Sequence, residues 1–160
     1  CESSVPGVYA VGDVNGGPQF TYISLDDFRI VFGALTGNGH YTLKDRKNIP
    51  YTTFLTPPLA RLGLTEEDAI NKGYTVKTKE MLVATMPRAH VNDNLKGAFK
   101  IVVDAESNLI LGATLYSQSA EELINMIKVA MDNNIPYTYF KNQIFTHPTM
   151  AENLNDLCNF

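Results

Sequence analysis

Residues 98–116 read AFKIVVDAESNLILGATLY, two apolar, β-rich runs separated by four small or polar residues. Ala98 to Asp104 and Leu109 to Tyr116 are each of strand length. Ala105-Glu106-Ser107-Asn108 can reverse the chain between them, so the stretch predicts an antiparallel hairpin. Working upstream, Tyr74 to Ala84 alternates well enough for another strand, with Val76, Thr78 and Glu80 on one face. Thr65, with Asp68 three residues later, opens a short helix that Gly73 stops. Tyr51 to Leu55 is rich in β-formers and runs into a break at Thr56-Pro57-Pro58.

Downstream of the hairpin, Ser119 is expected to cap the clearest helix, with Glu122 at its third position. Leu123, Ile124, Ile127, Ala130 and Met131 form its apolar stripe, and Asn133-Asn134-Ile135-Pro136 ends it because proline cannot continue the ladder. Thr149 to Leu157 reads as a short terminal helix following His147-Pro148. Strands and helices in this order, with a hairpin at the centre, indicate an α+β fold: a mainly antiparallel sheet with flanking helices. Residues 1–36 have a different character. Val8 to Val11 reads as a strand, Asn15-Gly16-Gly17-Pro18 as a turn, and Tyr22 to Leu35 as a helix on the spacing of Tyr22, Leu25, Phe28, the long stem of Arg29, and Phe32. Gly33 weakens the end of that helix and Thr36-Gly37-Asn38-Gly39 stops it.

The bulk properties narrow the function. The chain has 160 residues and a formal net charge of −4, which gives no basis for a nucleic-acid surface. Its longest basic cluster, Lys44-Asp45-Arg46-Lys47, is interrupted by an acid and is expected to be a solvated loop. No apolar run approaches the roughly 20 residues a membrane helix needs, so no membrane partner is expected. Nor is there a basic-then-apolar leader. The chain begins without Met and opens almost directly into Val8-Tyr9-Ala10-Val11, so a piece excised from a longer protein is expected. Cys1 and Cys158 sit at opposite ends without CxxC or metal-ligand spacing, as expected of two reduced thiols in a cytoplasmic protein. His40 and His90 lie in turn-like regions without acids at ligand spacing, so no metal site is expected. Tyr137, Tyr139 and Phe140 lack flanking basic clusters and point to burial or a subunit interface rather than nucleic-acid stacking.

Two constellations could carry chemistry. In Ser4-Val5-Pro6-Gly7-Val8-Tyr9-Ala10-Val11-Gly12-Asp13, a carboxylate follows a glycine at the end of an apolar run. Asp13 could accept hydrogen bonds from a ligand hydroxyl where Gly12 allows close approach, or simply close a strand-to-turn transition. In His147-Pro148-Thr149-Met150-Ala151-Glu152, an imidazole suited to proton transfer near neutrality precedes a carboxylate on the next turn. Glu152 could orient His147, or it could serve only a capping box with Thr149.

Both segments resemble motifs of the class I pyridine nucleotide–disulfide oxidoreductases, the group of glutathione reductase, dihydrolipoamide dehydrogenase and mercuric reductase. The first is similar to their second flavin-binding motif, with Ser4 where Thr is more usual. The resemblance implies that Asp13, beside Gly12, bonds the ribityl chain of FAD, while Gln19-Phe20-Thr21 packs alongside the isoalloxazine ring. The second is similar to their C-terminal signature. It implies that His147, oriented by Glu152, acts as acid–base catalyst toward the redox-active thiol of the other subunit, with Pro148 close to that subunit's flavin. Pro57-Pro58-Leu59-Ala60-Arg61-Leu62-Gly63-Leu64-Thr65-Glu66 resembles the opening of the family's dimerisation domain. Pro58, with the ending His147 to Leu157, is similar to the branch linked to reactive-chlorine and hypothiocyanous acid resistance.

The resemblance thus implies that residues 1–36 are the tail of an FAD-binding domain and residues 37–160 a homodimerisation domain. The parent enzyme would use FAD and NAD(P)H. The family's Cys-x4-Cys pair and nucleotide-binding module are not in this sequence. The chain itself is therefore expected to bind no cofactor and to have no turnover, with about 250–300 further residues upstream in the parent, roughly two domains. The alternative is an autonomous α+β small-molecule-binding or regulatory domain.

Overall fold

The computed structural model describes residues 1–160, which divide into two compact units, Cys1–Lys47 and Asn48–Phe160. In the first unit, the expected strand Val8 to Val11 does not form. Its only ladder contact is an isolated bridge between Glu2 and Tyr9, tied by Ser3 N–H to Val8 O at 2.7 Å and Ala10 N–H to Cys1 O at 2.9 Å. Gly7, at φ 77°, turns the chain back on itself so that this run pairs with its own beginning. A single turn of 3-10 helix, Gly12–Asn15, follows, and then α1, Thr21–Thr36. The residues α1 turns inward are Ile23, Asp27 and Ile30. The stripe that signals the helix in sequence, Tyr22, Leu25, Phe28 and Phe32, is between 43% and 56% exposed.

Residues after α1 return to it, and Arg46 is no solvated-loop residue. Only 10% of its side chain is exposed, because Asp26 and Asp27 on α1 draw the guanidinium inward.

The second unit is built on a five-stranded, wholly antiparallel sheet in the order β1-β2-β5-β4-β3. Its strands are β1 (Tyr51–Thr53), β2 (Leu59–Gly63), β3 (Val76–Leu82), β4 (Ala98–Asp104) and β5 (Ile110–Tyr116). The hairpin β4–β5 forms as expected. Asp104 closes its turn by accepting from Ser107 N–H at 3.1 Å and Ser107 Oγ–H at 2.5 Å, while Asn108 takes φ 61°. The strand period of two sends Phe99, Ile101 and Val103 of β4 to one face, with Ala113 and Leu115 of β5 and Ala60 and Leu62 of β2. Gly63 pairs with Gly112 between β2 and β5. A Cβ on Gly112 would lie 2.0 Å from Leu64 O, so the chain crosses there only without a side chain.

Short helices complete the unit: α2 (Glu66–Asn71), α3 (Pro87–Val91), α4 (Ala120–Asp132), α5 (Tyr137–Asn142) and α6 (Asn153–Leu157). Thr65 caps α2 as expected, accepting from Asp68 N–H at 3.0 Å while the Asp68 carboxylate accepts from Thr65 N–H. Ser119 does not cap α4. It sits at φ 66° with no side-chain cap bond, and its backbone carbonyl instead accepts from Glu122 and Leu123. The α4 stripe Leu123, Ile124, Ile127 and Ala130 is buried on the sheet, with Met126 and Met131 at its margin. Tyr137 and Phe140 of α5 join the core, whereas Tyr139 is exposed. No helix is long and apolar enough to cross a membrane.

Candidate functional site

The C-terminal segment from Thr146 to Leu157 carries one candidate site. Asn155, on α6, donates to the carbonyls of Phe140 at 2.6 Å and Gln143 at 2.9 Å, pinning the end of α5 and the loop that leads to His147. Asn153 is buried and donates to Met150 O at 3.0 Å, which fixes the turn after Pro148. The His147–Pro148 peptide is cis. On this frame His147 Nδ1 lies 2.8 Å from Glu152 Oε2. The two carboxylate oxygens divide their work: Oε1 accepts from Thr149 N–H at 3.3 Å, and Glu152 N–H donates to Thr149 Oγ at 3.2 Å. The reciprocal Thr149–Glu152 bonds close a turn ahead of α6, which begins at Asn153 rather than Thr149 and has no side-chain cap, so the carboxylate orients the ring while tying that turn rather than capping a helix.

The imidazole is 70% exposed and the carboxylate 17%. With Nδ1 committed to Glu152, the acceptor nitrogen of the neutral ring is Nε2. Pro148, Thr149 and Met150 line an open cleft of about 470 Å³ together with Arg88, Gln118 and Leu123. Arg88 and Gln118 carry no signal in the sequence, because the cleft joins segments some thirty and sixty residues from His147 in the chain.

The other candidate residues lie in the first unit. Asp13 is exposed, and its carboxylate accepts no hydrogen bond within the chain. Gly12, at φ 73°, packs close to α1, and a Cβ there would lie 3.0 Å from Ser24 Oγ. Gln19 and Thr21 are exposed, and Phe20 stacks on Tyr22 with ring centroids 5.1 Å apart. No side chain caps α1 at Phe20.

Behind this turn lies a network the sequence did not reveal. Asp27 is wholly buried and accepts from Gly12 N–H at 2.8 Å, Asn15 Nδ2 at 2.7 Å and Arg46 Nη2. Burial opposes ionisation of Asp27, but the Arg46 hydrogen bond and charge, with Gly12 and Asn15, outweigh it and hold the carboxyl below the usual aspartate value. Arg46 also gives Nε to Asp26 at 2.6 Å. Elsewhere, Cys1 and Cys158 are free, and burial pushes the Cys158 thiol up to about 12. His40 and His90 are exposed, and no group of His, Cys, Asp or Glu is placed to hold a metal.

Comparison with known proteins follows the same division of the chain. The family profile described as pyridine nucleotide-disulphide oxidoreductase, dimerisation domain, matches residues 49–158. The chain is 47% identical, over 97% of its length and 35% of the relative's, to the probable pyridine nucleotide-disulfide oxidoreductase RclA of Escherichia coli K12. It is 35% identical to a mercuric reductase of Lysinibacillus sphaericus, over 96% of the chain and 28% of the relative. A solved structure of the HOCl-induced flavoprotein disulfide reductase RclA from Escherichia coli superposes with a TM-score of 0.91 at 49% identity, over 94% of this chain and 34% of that one. The chain spans about a third of the length of the curated relatives it matches.

Proposed function

The chain belongs to the pyridine nucleotide-disulphide oxidoreductase dimerisation-domain family, and on that premise we propose that it is the dimer-forming portion of an FAD-dependent NAD(P)H:disulfide oxidoreductase whose His147–Glu152 pair completes the active site of the partner subunit. The observation that carries this proposal is the 2.8 Å contact between His147 Nδ1 and Glu152 Oε2 on an imidazole that is otherwise exposed. The ring is held at one nitrogen by a carboxylate while most of its side chain stays open to solvent.

The chemistry follows from that geometry. Glu152, bonded to Nδ1, fixes the ring's tautomer and orientation. Nε2 can then deliver a proton to a thiolate leaving a disulfide, and take one from a thiol that must become a nucleophile. Cleft residues from Arg88 to Met150 would border the substrate beside it.

Residues 1–36 are proposed as the tail of the flavin-binding domain and residues 37–160 as the homodimerisation domain. The exposed stripe Tyr22, Leu25, Phe28 and Phe32 suits a helix that the remainder of a larger domain covers. The turn fits part of a flavin site: an exposed carboxylate at Asp13 can accept from polyol hydroxyls, and the start of α1 beside it carries no side-chain cap. When bound, the flavin relays electrons between reduced nicotinamide and a cysteine pair. Asp13 would anchor it, and Pro148 would approach the flavin of the partner subunit. Free thiols at both cysteines suit a cytoplasmic enzyme.

Replacing His147 with Gln in the parent enzyme tests this. Loss of one positioned acid–base group should lower turnover by about 10²–10⁴-fold, with flavin content and dimer mass unchanged. Undiminished turnover would remove the catalytic role. Light scattering of the 17.7 kDa chain tests the assembly half: a doubled mass at low micromolar concentration is expected, and a monomer at every concentration would contradict autonomous dimerisation.

A further inference from the structure

We propose that Asp27 is a positioning residue for the flavin-facing turn, an inference that rests on the reading of Asp13 as a flavin ligand. The position of Asp27 on the inward stripe of α1, between Ile23 and Ile30, calls for an apolar side chain if packing were its only duty. An ionised carboxylate with no exposed surface is costly unless its oxygens are paired and bonded. Here both are. Oδ2 accepts from Gly12 N–H at 2.8 Å and from Asn15 Nδ2 at 2.7 Å, while Oδ1 meets Arg46.

What the carboxylate does that an apolar residue could not is fasten the turn at both ends. Gly12 and Asn15 are the first and last residues of the 3-10 turn Gly12–Asn15, and Asp13 lies between them. One oxygen atom therefore sets the height of Asp13 above α1. Arg46 is itself aimed, with Nε on Asp26 at 2.6 Å, and Asp26 also accepts from Tyr41 Oη–H at 3.4 Å. Residues 37–47 thereby act as a strap whose single inward cation keeps Asp27 charged and in place.

The test uses the full-length parent enzyme, with flavin affinity, visible flavin absorption and melting as readouts. Asp27→Leu should weaken flavin binding by about tenfold or more, the scale of lost charged hydrogen bonds, and shift the flavin absorption band. The neutral double variant Asp27→Asn/Arg46→Gln retains an acceptor for Gly12 and a partner on the far side, and should recover affinity to within about threefold of wild type. Asn15→Ala, at an exposed position, removes the Asn15–Asp27 bond together with the Gly17 N–H bond to Asn15 but keeps the Gly12 and Arg46 bonds to Asp27, and should weaken binding by about threefold even if Asp27→Leu does not fold. Wild-type affinity and spectrum in Asp27→Leu or Asn15→Ala, alongside weakened binding in Asp13→Ala, would overturn the positioning role alone. Unchanged affinity in Asp13→Ala would instead overturn the flavin-ligand reading on which it rests.

Discussion

The two units of this chain are held by opposite means. The second is organised by an apolar core in which the sheet face of Phe99, Ile101 and Leu115 meets the α4 stripe of Leu123, Ile124 and Ile127. In the first, only Ile23 and Ile30 are buried apolar residues, and the interior centres on the ion pair of Asp27 and Arg46. An apolar core is non-directional and tolerant of conditions. A buried ion pair is directional and fixes a turn in one place, but it depends on both charges persisting. The first unit thus trades robustness for the placement of Asp13, while the second supplies the rigid base from which His147 is presented.

The comparison can be broken most forcefully from the apolar side. Phe99→Ala removes a fully buried ring and should cost the second unit about 3–5 kcal/mol in denaturant unfolding; a loss below about 1 kcal/mol would show that the sheet face is not the organising core. Arg46→Leu leaves Asp27 charged and buried without its counter-ion, and should destabilise the first unit by about 3–5 kcal/mol. Amide hydrogen exchange at Gly12 would report this, with the second unit's protection unchanged.

Proton linkage sharpens the contrast. Asp27 has a folded value below its unfolded one, so the unfolded chain binds the extra proton. Its contribution is complete above the ordinary aspartate value of about 3.9 and is lost as pH falls through the folded value. Cys158 is the reverse case. Its folded value of about 12 against an ordinary 9.0 means that the folded state keeps the proton, and stability is lost as pH rises above the unfolded thiol's value. The first unit should therefore lose amide protection, measured against the intrinsic exchange rate, as the pH falls into acid, and the Cys158 contribution to the second unit should be lost in alkali and absent in Cys158→Ala. The smallest effect is local: Thr65→Ala deletes the reciprocal cap of α2 and should cost about 1 kcal/mol in melting experiments.

How far the sequence disclosed these features depended on how far apart in the chain their partners lie. The β4–β5 hairpin and the Thr65–Asp68 cap were legible because each is closed by neighbours within a few residues. His147 and Glu152 were legible for the same reason. β2 hid behind Pro57-Pro58, since its register partners are Gly112 to Tyr116, and α3 and α5 are too short for a helical period to show. Ser119 misled because a residue type that favours caps here occupies a left-handed position instead. Arg46 read as a loop cation because its acidic partners are about twenty residues away. No feature of the pair Asp26-Asp27 distinguishes the buried carboxylate from its part-exposed neighbour, and only the fold separates them.

The central claim, that His147 serves the partner subunit, is tested most directly by mixing two inactive parent enzymes. One carries His147→Gln with its redox cysteines intact; the other keeps His147 but has its redox cysteines replaced by Ser. In a mixed dimer the account predicts one restored site, where the intact cysteines of one subunit meet the His147 of the other, so activity should appear on subunit exchange. Mixed dimers that form but stay inactive would show that His147 does not act across the interface.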